Sequence, residues 1–347
     1  MKLSLVIAAS VMMLVETVHA QVYDWAGEAL PGVKINTVAF KGWIPASQQP
    51  LRGTLVLIPG RWGDGRHMAA DKRWQALATD IGFAVIGCQF TNGEPFDYQN
   101  DPKAEVAKSI NEAVDHLAKE SGHPELSKAP LAFWGTSAGS NVSARYCCHF
   151  PKRVIAFASS KGTFGPSWEN PPGRNDIPML FALGAKDKPD WLSASQGYIN
   201  GGIKAHAPWA LAFQKNEGHE VGRSLDVAIP FLKAAINMRF NPPPVSAGAS
   251  GAAMGGGQPS IFKTQLPAFS QKPAAGAAPV VSLQLHRIDP HAGWLGNPDN
   301  YEVARYAEFK GDKNKAMWLP DETTAQAWHQ YLQGQAGAAP AKVSTEE

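Results

Sequence analysis

The chain has 347 residues, 44% of them hydrophobic and 18% charged, so it is too apolar for a disordered polypeptide and long enough to bury an ordinary core. Lys and Arg number 32 and Asp and Glu 30, a net charge of +2, which provides no single-sign field to recruit nucleic acid or an anionic membrane. Three cysteines cannot build a disulfide framework; one bridge from Cys88 to Cys147 or Cys148, and three buried thiols, are both open.

Residues 1–20 read as a secretory signal. Lys2 is the charged start, residues 3–15 are mostly apolar, and Val18-His19-Ala20 supplies the cleavage positions. The run is too short for a spanning helix of about 20 residues. The expectation is an exported chain that starts at Gln21 and does not insert in a membrane. Residues 33–45 then suggest one or two antiparallel strands at a sheet edge. Further strands are expected at 53–60, 83–90, 131–134, 154–158, 178–184 and 209–213, and helices at 68–81, 103–120, 140–150 and 221–240. In the second helix Val106, Ile110, Val114 and Leu117 recur at helical spacing. The connections at 162–178 and 188–208 are read as loops without a large lid, leaving an open cleft.

The strands are almost continuously apolar and do not alternate, as expected where helices cover both faces of a parallel sheet. Repeated strand–helix units predict an α/β fold with a doubly wound, mostly parallel sheet over residues 21–240. Residues 241–279 are rich in Pro, Ala and Gly and read as a linker. Residues 280–333 read as a small appendage, with Val281, Leu283 and Leu285 alternating as in a strand and a short helix at 321–333. At about 50 residues it is small to fold alone and is expected to dock on the body, with the cleft as one place for it. Residues 334–347 read as a disordered tail.

Ligands of such sheets sit beyond the carboxyl ends of the strands. There, Gly135-Thr136-Ser137-Ala138-Gly139 follows the strand LAFW and opens a helix. This is the context of a G-x-S-x-G nucleophile elbow, where a tight turn exposes the serine Oγ. A hydroxyl needs a base to take its proton, and His219 follows the last strand; His67 and His206 are loop rivals. The base needs an acceptor on its other nitrogen, and Asp187 ends an intervening strand, with Asp190 the near rival. Two N–H donors are needed for an oxyanion. Ala138 follows the nucleophile, and Arg61 or Trp62 follows Ile58-Pro59-Gly60. Trp62, Trp168 and Trp191 fall in loops at the same end, where aromatic planes suit a sugar ring or an aromatic acyl group.

The order Ser137, Asp187, His219, carried by GTSAG at 135–139, GAKD at 184–187 and EGH at 217–219, resembles the α/β-hydrolase superfamily. Residues 33–240 are similar to small secreted esterases of the dienelactone-hydrolase and polyester-depolymerase type. The resemblance implies an eight-stranded, mostly parallel sheet and needs neither metal nor organic cofactor. It assigns Ser137 as nucleophile, Asp187 as acid and His219 as base, with Ala138 and Arg61 as oxyanion donors. Pro59 stands where the family usually has a His, so the second donor departs from its pattern. The implied activity is hydrolysis of a small-molecule or polymeric carboxylic ester. A peptidase or acyltransferase using the same three residues, and a catalytically silent carbohydrate-binding scaffold, are the alternatives.

Overall fold

A computed structural model describes residues 19–47, 49–91, 101, 103–165, 171–241 and 285–334; nearly all of the expected linker, most of the signal segment and tail, and Trp168 lie outside the described residues. The apolar runs of the body form one sheet of eight strands. In chain order these are β1 Gln21–Ala26, β2 Thr37–Ile44, β3 Gly53–Ile58, β4 Phe83–Thr91, β5 Leu131–Thr136, β6 Val154–Ser160, β7 Met179–Gly184 and β8 Trp209–Gln214. Their spatial order is β1-β2-β4-β3-β5-β6-β7-β8. Only β2 runs against its neighbours, antiparallel to both β1 and β4; every other pair is parallel. Every position of β3, β6 and β7 is buried, which is why these strands lack a polar alternation.

Five helices connect or follow the parallel strands: α1 Lys72–Ile81, α2 Glu105–Ser121, α3 Ala138–His149, α4 Pro189–Lys204 and α5 Leu225–Phe240. Local chemistry sets their ends. Asp71 caps α1 by accepting from the Arg73 N–H at 2.8 Å, and Gly82 at φ 70° closes it in the left-handed conformation. Because Asp71 is extended, the helix expected over 68–81 divides into a short 3-10 turn at Arg66–Ala70 and α1. Right-handed crossovers place α1 on one face of the sheet and α2 and α3 on the other. From β3 the chain turns one way through α1 to β4, and from β5 it turns the other way through α3 to β6. The strand order therefore reverses between β3 and β5, and the crevice of a doubly wound sheet opens at their carboxyl ends.

Two further elements of the body differ from the sequence reading. β1 adds an edge strand at 21–26, outside the region where edge strands were expected. Residues 188–208, read as a loop, contain α4, so Trp191 stands in the first turn of a helix. The helix forms because a parallel β7–β8 pair needs a covered crossover. Its Tyr198 stacks on Trp209 at 5.5 Å between centroids, and a Cβ at Gly202 would lie 2.0 Å from the Trp209 ring.

Residues 285–334 pack on the same body. Three short strands, β9 Trp294–Gly296, β10 Val303–Arg305 and β11 Met317–Leu319, form a small antiparallel sheet in the order β10-β9-β11. Helix α6, Glu322–Leu332, follows, with the Asp321 side chain capping the Thr324 N–H. The expected alternation at 281–285 did not become a strand at Leu285, and Val281 and Leu283 lie outside the described residues. The segment covers the outer edge of β8. The Leu211 N–H donates to Met317 Sδ at 3.2 Å and the Leu211 carbonyl accepts the Trp328 indole N–H at 2.9 Å. On its other side it packs on α5, where Phe231 meets Trp318 edge to face. Helix α5 thus has the sheet on one flank and α6 on the other, which accounts for apolar residues on more than one of its faces. Met317, Trp318 and Leu319 of β11 and Ala325, Trp328, Tyr331 and Leu332 of α6 belong to the main hydrophobic core.

The cysteines are buried in β4 and α3 and form no disulfide. Burial raises the Cys88 thiol well above its ordinary range.

Candidate active site

Ser137 stands between β5 and α3 at φ 50° and ψ −122°, a strained backbone for a residue with a side chain. The flanking glycines make this turn possible. A Cβ at Gly135 would lie 2.5 Å from the Gly139 carbonyl, and one at Gly139 would lie 2.2 Å from Ile58 O and 2.4 Å from Pro59 O. The elbow is held by the Ser137 N–H donating to Ser160 O at 2.8 Å and by the Ser140 hydroxyl donating to Gly135 O at 2.6 Å. Gly139→Ala should therefore lower stability by about 3 kcal/mol through backbone collision, read as a lower urea midpoint.

His219 and Asp187 come from the loops after β8 and β7. These loops are joined before any side chain is considered: the Ala185 N–H donates to Gln214 O at 2.9 Å and the Lys186 N–H to Glu217 O at 2.9 Å. Gly184 has no room for a side chain, since a Cβ there would lie 2.3 Å from Gly218 O. On this frame His219 Nδ1 is 2.6 Å from Asp187 Oδ2, and His219 Nε2 is 2.8 Å from Ser137 Oγ. A carboxylate can only accept, so Nδ1 carries the proton and Nε2 is left to accept from the serine hydroxyl. The Asp187 side chain is 5% exposed and that of His219 35%; the other Asp187 oxygen accepts from the Lys188 N–H at 2.7 Å. Asp190 is exposed in the first turn of α4. His67 is bonded to Asp64 O, and His206 follows α4 at φ 56°.

The other expected residues that are described, Arg61, Trp62, Ala138 and Trp191, gather around Ser137. Ala138 is the first residue of α3, so its N–H has no partner within the helix and lies at the positive end of the dipole. The loop from β3 passes beside it: a Cβ at Gly60 would be 3.4 Å from Ser137 Cβ and 4.0 Å from its Oγ. Residues 60–63 form a turn closed by the Gly63 N–H donating to Gly60 O at 3.0 Å, with Arg61 and Trp62 at its tip. Trp62 adopts φ 62° and is 57% exposed. An indole in a conformation that favours glycine, held out to solvent beside Ser137, has a cost on both counts. Trp191 lies across the site, its ring 4.8 Å from the His219 ring, with Lys188 Nζ 4.3 Å above it.

These groups line a cavity of about 600 Å³, together with Asn141, Thr163 and Val221. The sequence reading missed those three. Asn141 lies one helical turn after Ser137, a spacing that puts it on the same face, and its side-chain Oδ1 accepts from the Thr163 N–H at 3.0 Å. Among the described residues the lining falls between 60 and 221, and residues 285–334 contribute none of it. Among the described residues no helix is long and apolar enough to cross a membrane.

Sheet order, the single reversed strand and a serine on the turn after the fifth strand define an α/β-hydrolase fold. No protein-family model matches the chain and no curated protein matches it in sequence. Among solved structures it is similar to a ferulic acid esterase, at 12% identity and a TM-score of 0.51 over 64% of this chain and 99% of that one. It is also similar to a protein described as a CIB-like hydrolase from Thermoplasma acidophilum, at 15% identity and a TM-score of 0.42 over 62% and 99% of the two chains. An S-formylglutathione hydrolase from Staphylococcus aureus matches at 13% identity and a TM-score of 0.46 over 63% and 100%. At 12% identity, what the chain shares with the ferulic acid esterase is the fold.

Proposed function

We propose that the protein is an exported serine hydrolase of carboxylic esters. The observation that carries this reading is the relay from Ser137 Oγ through His219 to Asp187, at 2.8 and 2.6 Å, at the carboxyl ends of the strands. In the reaction Ser137 Oγ attacks the ester carbonyl while His219 Nε2 takes its proton, and Asp187 stabilises the imidazolium. The Ala138 and Arg61 N–H groups face the oxygen that becomes negative. Collapse of the tetrahedral species expels the alcohol, which leaves with the proton from His219. Water then attacks the acyl-serine, giving its proton to His219, and the acid departs as Ser137 is reprotonated. The leader-like composition of residues 1–20 supports export.

The two indoles at the mouth support an ester with a flat or ring-shaped group near the carbonyl. Esters of plant cell-wall carbohydrate and aromatic polyesters both meet this description. A ferulic acid esterase shares the fold, which is a reason to include feruloyl esters among the substrates tried. The test has two parts. A fluorophosphonate should form an adduct on Ser137, and the purified chain should hydrolyse members of a panel of p-nitrophenyl, feruloyl, acetyl-sugar and polyester substrates. An absence of adduct between pH 7 and pH 9 would show a silent scaffold. Turnover of peptides in preference to esters would show a peptidase. With the preferred ester, Trp62→Ala should raise KM about tenfold and leave kcat within about threefold, because stacking binds substrate and transition state alike.

A further inference from the structure

The interior beneath the site holds a charged cluster with no part in the reaction above. Lys161, just beyond β6 at φ 56°, has a side chain with no exposed surface. Its Nζ donates to Glu217 Oε2 at 2.6 Å and to the Tyr331 hydroxyl at 3.1 Å. Tyr331 donates in turn to Glu217 Oε2 at 2.7 Å, and the other Glu217 oxygen accepts from the Arg223 N–H at 2.8 Å. Burial alone would raise the Glu217 carboxyl, but the Lys161, Arg223 and Tyr331 donors together hold it below the usual carboxylate range. Burial and the bond to Glu217 push the Tyr331 phenol far up, so it keeps its proton.

Glu217 is two residues from His219, and Tyr331 belongs to α6. A second bond joins the same helix to the start of the same loop. The Gln214 amide donates to the Tyr331 carbonyl at 3.1 Å, and its oxygen accepts from the Asn216 N–H at 2.6 Å. One residue of the C-terminal segment therefore grips the 214–219 loop near both ends. The opposite side of the loop is tied to the Asp187 turn through Lys186.

We propose that Tyr331 is a positioning residue for the hydrolytic reaction, holding the loop that carries His219 through Glu217 and Gln214; this rests on the reading of Ser137, His219 and Asp187 as the reacting set. Three donors converging from β6, α6 and the Arg223 backbone give the Glu217 carboxylate one orientation, whereas apolar contact would leave the loop free to slide. A displacement of about 1 Å at a reacting group costs on the order of 100-fold in rate, so a small slackening of this loop is enough to register. The task of covering β8 falls to other side chains, Met317 and Trp328. That division allows the two roles of the segment to be separated.

The test uses the full chain and p-nitrophenyl butyrate at a temperature well below unfolding. Tyr331→Phe removes one hydroxyl and leaves Glu217 with Lys161 and Arg223. It should lower kcat about tenfold or more with KM within twofold. Trp328→Phe should lower the unfolding temperature more than Tyr331→Phe does, and leave kcat of the folded protein unchanged. Tyr331→Phe with kcat within twofold of the parent overturns the proposal. So does Trp328→Phe losing as much kcat as Tyr331→Phe, since the effect would then follow stability alone. If Tyr331→Phe does not fold, Gln214→Met reads the second bond: a fivefold or greater loss of kcat supports the brace, and a loss under twofold overturns it. Failure of the underlying reading looks different, because the parent chain itself would then neither turn over the ester nor take the fluorophosphonate on Ser137.

Discussion

Ser137→Ala should abolish ester hydrolysis, with kcat falling by about 10⁵–10⁶, while the unfolding temperature stays within about 2 °C of the parent. Removing Oγ deletes the atom bonded to His219 Nε2 among the described residues but leaves the turn intact, because its supports are the Ser137 N–H and the Ser140 hydroxyl. Alanine has the same backbone limits as serine, so the strain at φ 50° is neither relieved nor increased. The proposed oxyanion donors and the cavity also survive, and they would account for the residual rate expected over water. The same variant should lose the fluorophosphonate adduct entirely. Retention of more than a hundredth of the parent kcat would place the nucleophile elsewhere, and the hydroxyls of Thr136 and Thr163, which also line the cavity, would be the first to examine.

Asp187→Asn should lower kcat by about 10⁴ near neutral pH, again without unfolding the chain. The argument is one of tautomers. Asp187 Oδ2 accepts from His219 Nδ1 at 2.6 Å, which leaves Nε2 able to take a proton. An amide nitrogen at the same place donates to Nδ1, the imidazole then carries its hydrogen on Nε2, and the base is lost with the geometry preserved. Asp190→Asn is the control and should stay within about twofold, because Asp190 is exposed at the start of α4. The reverse result, a severe Asp190→Asn and a mild Asp187→Asn, would remove Asp187 from the proposed mechanism.

How much of this was legible in the residues differs from place to place. The elbow was readable because its demand is local: two glycines and a strand before a helix leave few other readings, and the contacts at Gly135 and Gly139 show why nothing larger fits. The parallel strands were readable because burial on both faces leaves unbroken apolar runs. Helix α4 was not, since Pro189, Gly197, Gly201 and Gly202 are local signals for a loop. Gly202 is small so that the helix can lie on Trp209, a tertiary reason that no local pattern reveals. β1 was missed because an edge strand with one solvated face, burying Tyr23 and Trp25 only in part, is weakly marked. The three-residue strands of the C-terminal segment are too short for any periodicity. Asp187 and His219 were candidates from strand order, but their meeting depends on two interlocked loops. Lys161 shows the limit most plainly. A lysine at a strand end reads as a solvated charge, and only the arrival of Glu217 and Tyr331 from distant parts of the chain explains how it can be buried.

The cover over β8 has a consequence for how the molecule is made. Until Met317 and Trp328 reach Leu211, the last strand of the sheet is an open border able to template a neighbouring chain. Closing it joins positions 106 and 117 residues apart, a non-local step that loop-closure entropy delays. The helix that seals this border also carries Tyr331. On the roles proposed for His219 and Tyr331, protection against self-association and completion of the loop at 214–219 arrive in one late event, and a polypeptide interrupted before it would be both adhesive and idle.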